Sequence, residues 1–266
     1  MNNYIVFTDL DGTLLDHHTY SYEAARPGLD FLKANNIPLI LVSSKTYDEM
    51  ILLHDELGLS GPFIFENGGG IAWKEEKGAL SPNEPNIEIT GRSADELMEL
   101  FTRVEEIFKF KGTPLAAMTP EEIAKTTGLP LDRARRAGMR RASLPFLIDD
   151  DSPVQEIDLI HGQKKLQALS LSLTRGGRFY HLIGNRTSKG RAVKMVLDRI
   201  GKIYNGEPIT TVGIGDSEND LAMLEAVTIP FLVRRHDGTH QKTTQPGIRF
   251  TDAAGPGGFS EAMKSL

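Results

Sequence analysis

The feature that most restricts the fold is a rhythm running through residues 4–72, where short, almost unbroken apolar runs alternate with segments of helical period. "YIVFT" at residues 4–8 reads as a strand, and residues 22–35 read as a helix with Ala25, Leu29 and Leu32 on one side. "IPLILVSS" from Ile37 is a second strand, residues 46–57 are again helical, and "PFIFENG" from Pro62 is a third strand. A strand without polar alternation is buried on both faces, as in a parallel sheet covered by helices on either side. The chain is therefore expected to be an α/β protein whose working edge lies at the carboxyl ends of the strands.

The rhythm breaks near Ser81. "SPNEPN" reads as a hinge, and residues 94–108 form an amphipathic helix with Leu97, Leu100, Phe101, Val104 and Phe108 on one stripe. Thr119, Pro120 and Glu122 make a helix start with a cap, an N1 proline and an N3 glutamate. After residues 146–148 comes a region of weaker pattern, then a helix at residues 164–173 and a strand at 179–183. The parallel-sheet pattern returns with a helix at residues 189–200, the strand "TTVGIG" and a helix beginning near Ser217. The organisation expected is a core domain of residues 1–81 and 187–266, interrupted by a second domain at 82–186.

Four clusters fall at predicted strand ends or helix starts of the core: Asp9 with Asp11, Ser43, Lys189, and Asp216 with Asp220. Each has an ordinary reading taken alone, since Asp216 or Ser217 could cap a helix and Lys189 could be a solvated helix residue. Together they converge, because an open parallel sheet gathers such positions into one crevice. Four aspartates around one lysine and one serine carry excess negative charge, which a hard, oxygen-ligated cation such as Mg²⁺ would balance. Phosphoryl transfer uses such a set: Asp9 as nucleophile, Asp11 as acid and base, Ser43 and Lys189 on the phosphoryl oxygens. Asp9 and Asp216 would hold the metal, with Asp220 ligating it directly or holding a metal-bound water, and Ser217 and Asn219 behind them.

"DLDGTLLD" (9–16), "LVSSKT" (41–46), "SKG" (188–190) and "GDSEND" (215–220) resemble, in order, the four motifs of the haloacid dehalogenase (HAD) superfamily of phosphatases. The insertion between the second and third is similar to the cap of the type IIB, Cof-like branch. The resemblance implies a HAD-like Rossmannoid core with a parallel sheet plus an inserted α+β type IIB cap domain. It also implies Mg²⁺ as cofactor and adds the Asp11 main-chain carbonyl to the metal ligands.

"SSKT", "IFENGGGI", "RRASLPFLIDD" and "GGRFYHLIGNRTSKG" resemble signatures of the mannosyl-3-phosphoglycerate phosphatase family. That likeness implies hydrolysis of 2-O-mannosyl-3-phosphoglycerate to mannosylglycerate, a compatible solute, with the glucosyl analogue as a second substrate. Another sugar-phosphate phosphatase of the branch, such as a sucrose-phosphate phosphatase, a phosphomannomutase, and a non-catalytic phosphometabolite sensor are the alternatives. A substrate carrying phosphate and carboxylate calls for arginines, because their donor fork matches a carboxylate. Arg186 is the first candidate, then Arg140 and Arg141. Ser44, Lys45, Asn67, His181, Thr187, Ser188 and Asn219 complete the expected substrate-binding set.

Composition narrows the partners. At 266 residues and 39% hydrophobic the chain can bury a substantial core, and a net charge of -6 gives no basic face for nucleic acid. The stretch "DRARRAGMRR" at 132–141 holds five arginines but no aromatic for base stacking, so it suits a small anionic sugar-phosphate better. The absence of cysteine fits a reducing cytoplasm, and no signal peptide or membrane span is visible.

Overall fold

The computed structural model describes residues 3–73, 86–154, 156–176, 179–203 and 208–266. Most of the expected hinge at 81–86, with the 81/82 boundary, lies outside the described residues. Five parallel strands form the core sheet in the order β12-β11-β10-β1-β2. They are β1 (Asn3–Thr8), β2 (Leu39–Leu41), β10 (Ile209–Gly215), β11 (Ile229–Arg234) and β12 (Arg249–Ala254). Burial explains their apolar runs. Val6, Leu41, Val212 and Ile214 pack on one side beneath α1 (Arg26–Ala34) and α9 (Gly255–Lys264). Ile5, Phe7, Ile40 and Val42 pack on the other with Val193 and Val196 of α7 (Lys189–Ile203) and Met223 of α8 (Leu221–Leu224). Each fully buried side chain of this size contributes about 1.5–3 kcal/mol, so both faces resist a register slip.

Register sets the level of the strand ends. Thr8 lies opposite Leu41 on one side and Ile214 on the other. The residues just beyond, Asp9, Ser43 and Asp216, therefore emerge together. The chain leaves β1 toward β2 on one side while β10 lies on the other, so this edge is also where the strand order switches direction.

The third expected strand does form, but not in the parallel sheet. β3 (Phe63–Phe65) pairs antiparallel with β4 (Gly70–Ala72), which pairs with β5 (Ile87–Ile89). Its link to the core sheet is one bridge, Val42 to Ile64, with the Ser43 amide donating to the Ile64 carbonyl at 3.0 Å. The cause is local: Glu66, Asn67 and Gly68 have φ of 49°, 57° and 89°, which turns the strand back on itself.

The cap carries an antiparallel four-stranded sheet, in the order β6-β7-β9-β8, of β6 (Gly112–Pro114), β7 (Leu144–Ile148), β8 (Leu171–Gly176) and β9 (Phe179–Gly184). Leu97, Phe101 and Val104 of α3 (Ala94–Phe108) and Leu166 of α6 (Leu159–Gln167) cover one face, against Leu144, Phe146, Leu173, Tyr180 and Leu182. Phe179 packs on the smaller cluster of Leu115, Ile123 and Ala134, which includes α4 (Pro120–Thr127) and α5 (Leu131–Gly138). Thr119 and Glu122 form the capping box expected of them.

The helix expected over residues 164–173 ends at Gln167 instead. Leu171 and Leu173 are buried while Ser172 is half-buried, a period of two that belongs to β8. The second strand is also shorter than its apolar run, three residues rather than eight.

Candidate active site

Lys189 opens α7 and is 1% exposed, an extreme burial for a lysine. A Cβ on the next residue, Gly190, would sit 1.9 Å from the Ala222 carbonyl, so glycine is what lets α7 press against α8. The Lys189 ammonium donates to Asp9 Oδ1 at 2.5 Å and to Asp220 Oδ1 at 2.6 Å. Burial works against its charge, but Asp220 and Asp9 outweigh that and hold its pKa above the usual lysine range.

Asp220 is fully buried and saturated. Its Oδ2 accepts from the amides of Asp216 and Ser217, both at 3.0 Å, and from Ser217 Oγ at 2.9 Å. Asp216 keeps an open side. Thr13 Oγ1 donates to its Oδ1 at 3.4 Å, and Arg235 Nε donates to its carbonyl at 2.9 Å. Burial, then repulsion from Asp220, pushes the Asp216 pKa up to about 6. Burial and Asp220 raise Asp9 well above the usual carboxylate range, with Lys189 opposing them.

Asp9, Asp216 and Asp220 each offer an oxygen, all within 4.8 Å of one another. Three hard donors and a single ammonium leave the cluster short of positive charge, which is the donor set a Mg²⁺ site needs. Asp9 and Asp216 are the open ligands; Asp220, whose two oxygens already accept from Lys189, Asp216 and Ser217, holds the frame. These residues form the Mg²⁺-binding catalytic cluster.

Asp11 stands beside this trio. Lys45 Nζ pairs with its Oδ2 at 2.8 Å, while its Oδ1 is shielded from water without a partner. Gly12 follows with φ of 83°, and a Cβ there would lie 2.9 Å from Asp216 Oδ2. The turn after β1 thus needs glycine twice over, for its handedness and for the metal carboxylate beside it. Ser43 is buried, and its Oγ accepts from the Lys45 amide at 3.2 Å.

The remaining expected residues divide into three groups. Asn67 and Asn219 meet, Asn219 Nδ2 donating to Asn67 Oδ1 at 3.0 Å. Arg140 and Arg141 come from the cap: Arg140 Nη1 donates to the Ser44 carbonyl at 2.8 Å, and the Arg141 guanidinium lies 5.0 Å from the Tyr47 ring. His181, with its β-strand neighbours Tyr180 and Leu182 facing the cap core, lies on the opposite face of the sheet near Arg140. Burial and that positive charge lower its pKa to about 4, so it is neutral at pH 7. Arg186 is exposed and lines a separate cleft, against which Thr187 and Ser188 begin the run into α7.

The arginine-rich stretch became α5, with Ala134 and Ala137 buried. It docks on the start of α2 (Tyr47–Glu56), where Thr46 Oγ1 donates to the Arg136 carbonyl at 3.0 Å. Part of the expected anion-attracting face is therefore a core contact.

Glu66 was not singled out by sequence. It is 1% exposed, and it accepts from the Arg141 amide at 2.8 Å, the Ala142 amide at 3.1 Å and Ser143 Oγ at 2.5 Å. The signal was present, a carboxylate ending an unbroken apolar strand, as at Asp9. Arg235, which braces Asp216, gave no such signal.

Among the described residues no helix is long and apolar enough to cross a membrane. The family model for haloacid dehalogenase-like hydrolases matches residues 6–113 and 145–241. A glucosyl-3-phosphoglycerate/mannosyl-3-phosphoglycerate phosphatase of Persephonella marina is 38% identical over 264 residues, covering 97% of this chain and 95% of that protein. A phosphatase of the same description from Methanococcoides burtonii is 38% identical over 275 residues, covering 99% and 97%. The fold matches that of a haloalkanoate (HAD) superfamily phosphatase from Bacteroides thetaiotaomicron, with a TM-score of 0.68 at 17% identity over 99% of this chain and 95% of that one. It also matches the sucrose-phosphatase of Synechocystis sp. PCC6803, with a TM-score of 0.61 at 17% identity over 100% and 98%. With its parallel core sheet, antiparallel cap and buried aspartate cluster, the chain belongs to the haloacid dehalogenase-like hydrolases, in the type IIB, Cof-like branch of sugar-phosphate phosphatases.

Proposed function

We propose that the chain hydrolyses 2-O-mannosyl-3-phosphoglycerate to mannosylglycerate and phosphate, with the glucosyl analogue as a second substrate, and that it serves compatible-solute synthesis. The observation that carries the substrate is the match at 38% identity along nearly the whole chain, cap included, to two phosphatases of that description. The cap, taken as residues 82–186, supplies specificity.

The chemistry follows from the hydrogen bonds. Lys189 fixes Asp9 through Oδ1, which leaves Oδ2 to attack phosphorus and form an aspartyl phosphate. Mg²⁺, which Asp9 and Asp216 would hold with Asp220 framing them, would supply positive charge that offsets the repulsion between carboxylate and phosphate. Ser43, Lys189 and Lys45 donate to the phosphoryl oxygens. Asp11 gives a proton to the leaving alkoxide and then takes one from the attacking water. Lys45 is shared in this sequence: it pairs with Asp11 Oδ2 at 2.8 Å, and an incoming phosphate draws the ammonium away. Arg140 and Arg141 are the donors for the glycerate carboxylate, with neutral His181 and the Asn67–Asn219 pair on the sugar hydroxyls. The glucosyl epimer is accepted wherever the site leaves the C2 hydroxyl uncontacted.

The test is phosphate release, with Mg²⁺ and with EDTA, from both glycosylated phosphoglycerates beside 3-phosphoglycerate, mannose 6-phosphate and sucrose 6-phosphate. A preference for the glycosylated phosphoglycerates that EDTA abolishes supports the reading. Faster release from mannose 6-phosphate or sucrose 6-phosphate overturns the substrate and leaves the aspartate chemistry standing.

A further inference from the structure

A cleft of about 430 Å³ lies where the chain passes between core and cap, lined by Arg92, Arg186, Arg191, Glu96, Ser170 and Asn185 among others. None of Asp9, Asp11, Ser43, Lys189, Asp216 or Asp220 lines it. Three guanidiniums face one carboxylate there, in a protein whose net charge is -6. Their existing bonds do not neutralise them. Arg92 Nη1 reaches Glu96 at a long 3.4 Å, and its Nη2 donates to the Leu169 carbonyl at 3.1 Å. Arg92 Nε is shielded from water and has no acceptor. Among the described residues, Arg191 Nη1 donates only to carbonyls, those of Thr90 and Arg186, each at 3.1 Å. Among the described residues, the Arg186 side chain has no hydrogen-bond or ion-pair partner.

Two strands of chain meet at this cleft. Thr90, Gly91 and Arg92 lead into α3, and Gly184 to Arg186 lead out of β9 toward Lys189. They are packed so closely that a Cβ on Gly91 would sit 2.4 Å from Thr187 Oγ1, itself a buried hydroxyl without a partner. With only Glu96 to balance them, the arginines on the two crossings leave excess positive charge across a space large enough for a small ligand. A tetrahedral dianion neutralises them and accepts the fork of donors each arginine presents.

We propose that this cleft is a second anion site, distinct from the Mg²⁺ cluster, that binds a phosphate-type dianion between the two crossings. Arg92 on the first crossing and Arg186 on the second hold the anion, so occupancy ties the cap's two attachments together. The ligand is either inorganic phosphate or a small phosphomonoester, and the proposal does not depend on the identity of the hydrolysed sugar.

The test is calorimetric titration of the full chain in EDTA with inorganic phosphate and, separately, with 3-phosphoglycerate. The expected result is one saturable event, weakened roughly tenfold or more in Arg186→Gln and unchanged in Ser43→Ala. Saturation by both probes assigns free phosphate as sufficient; saturation by 3-phosphoglycerate alone assigns the phosphomonoester. Arg186 is exposed and unpaired, so its variant folds, and an unchanged melting temperature without ligand verifies this. Three results overturn the proposal: equal affinity in Arg186→Gln, loss of binding in Ser43→Ala, or no saturation by either probe.

Discussion

The catalytic crevice and the cap surface facing it use charge in opposite ways. In the crevice, Lys189, Asp9 and Asp220 are buried together, the two carboxylates sharing the one ammonium. On the cap, Arg133, Arg136 and Arg140 touch the core through an aromatic ring and through carbonyls, and Arg141 adds a ring contact and a long 3.4 Å ion pair to Asp48. A buried ion cluster is rigid because loosening any member strands the others in a poor solvent. A surface guanidinium is held by weaker, replaceable contacts. The division suits an enzyme in which chemistry needs one geometry while the lid must open and close.

The largest effect expected is on turnover. Asp9→Asn removes the nucleophile and should lower phosphate release by at least about 10³-fold, while far-ultraviolet circular dichroism stays unchanged. Retained turnover would move the nucleophile out of the crevice. Next is Lys189→Met, which leaves Asp9 and Asp220 buried without their shared cation and should cost about 3–5 kcal/mol in denaturant unfolding. Because the Asp216 pKa is raised to about 6, the metal-free fold binds a proton that the unfolded chain has already released above its ordinary value of 3.8. Stability without metal therefore falls as pH rises between these values, and Asp9 acts in the same direction. The rise in melting temperature on adding Mg²⁺ should accordingly be larger at about pH 7 than at about pH 5. Equal rises at both values would mean the carboxylates are already charged without the ion.

How far each region was legible in the sequence follows from the same contrast. Asp9, Ser43 and Asp216 could be placed because each ends a strand buried on both faces, and the parallel register leaves no choice of level. Lys189 could be placed because it opens a helix leading back into that sheet. The turn of β3 away from the sheet could not, since it depends on left-handed φ at Glu66 and Asn67, residues that do not require it. The 164–173 helix failed where a two-residue period, Leu171 and Leu173, competed with good helix formers just before it. The arginine run was legible as a charge pattern, but its docking on Thr46 and Ser44 depends on how the cap sits over the core, which no local pattern encodes.

Glu66→Gln probes the border between the two regions. The carboxylate accepts three donors from residues 141–143, and an amide can offer its single oxygen to only part of that set. Its NH₂ group would also face donors. The expected cost is about 1.5–3 kcal/mol, with faster proteolysis of the cap than of the core. A loss below that range with unchanged proteolysis would place the cap's anchorage elsewhere.

The smallest effect should come from Asp132→Asn. Asp132 and Arg136 form an ion pair of 2.7 Å at i,i+4 on α5, but their side chains are 67% and 28% exposed. Water and salt screen such a pair, and ordering two long side chains offsets much of the attraction, so the loss should be under about 0.5 kcal/mol. The same change removes a negative charge from a face that meets an anionic substrate, which should raise kcat/KM modestly at low salt and not at all at high salt. Both readouts come from one variant. A loss above about 1 kcal/mol would show that the cap surface is as tightly determined as the crevice. A change in kcat/KM that persists in high salt would place Arg136 in contact with the substrate rather than in its long-range field.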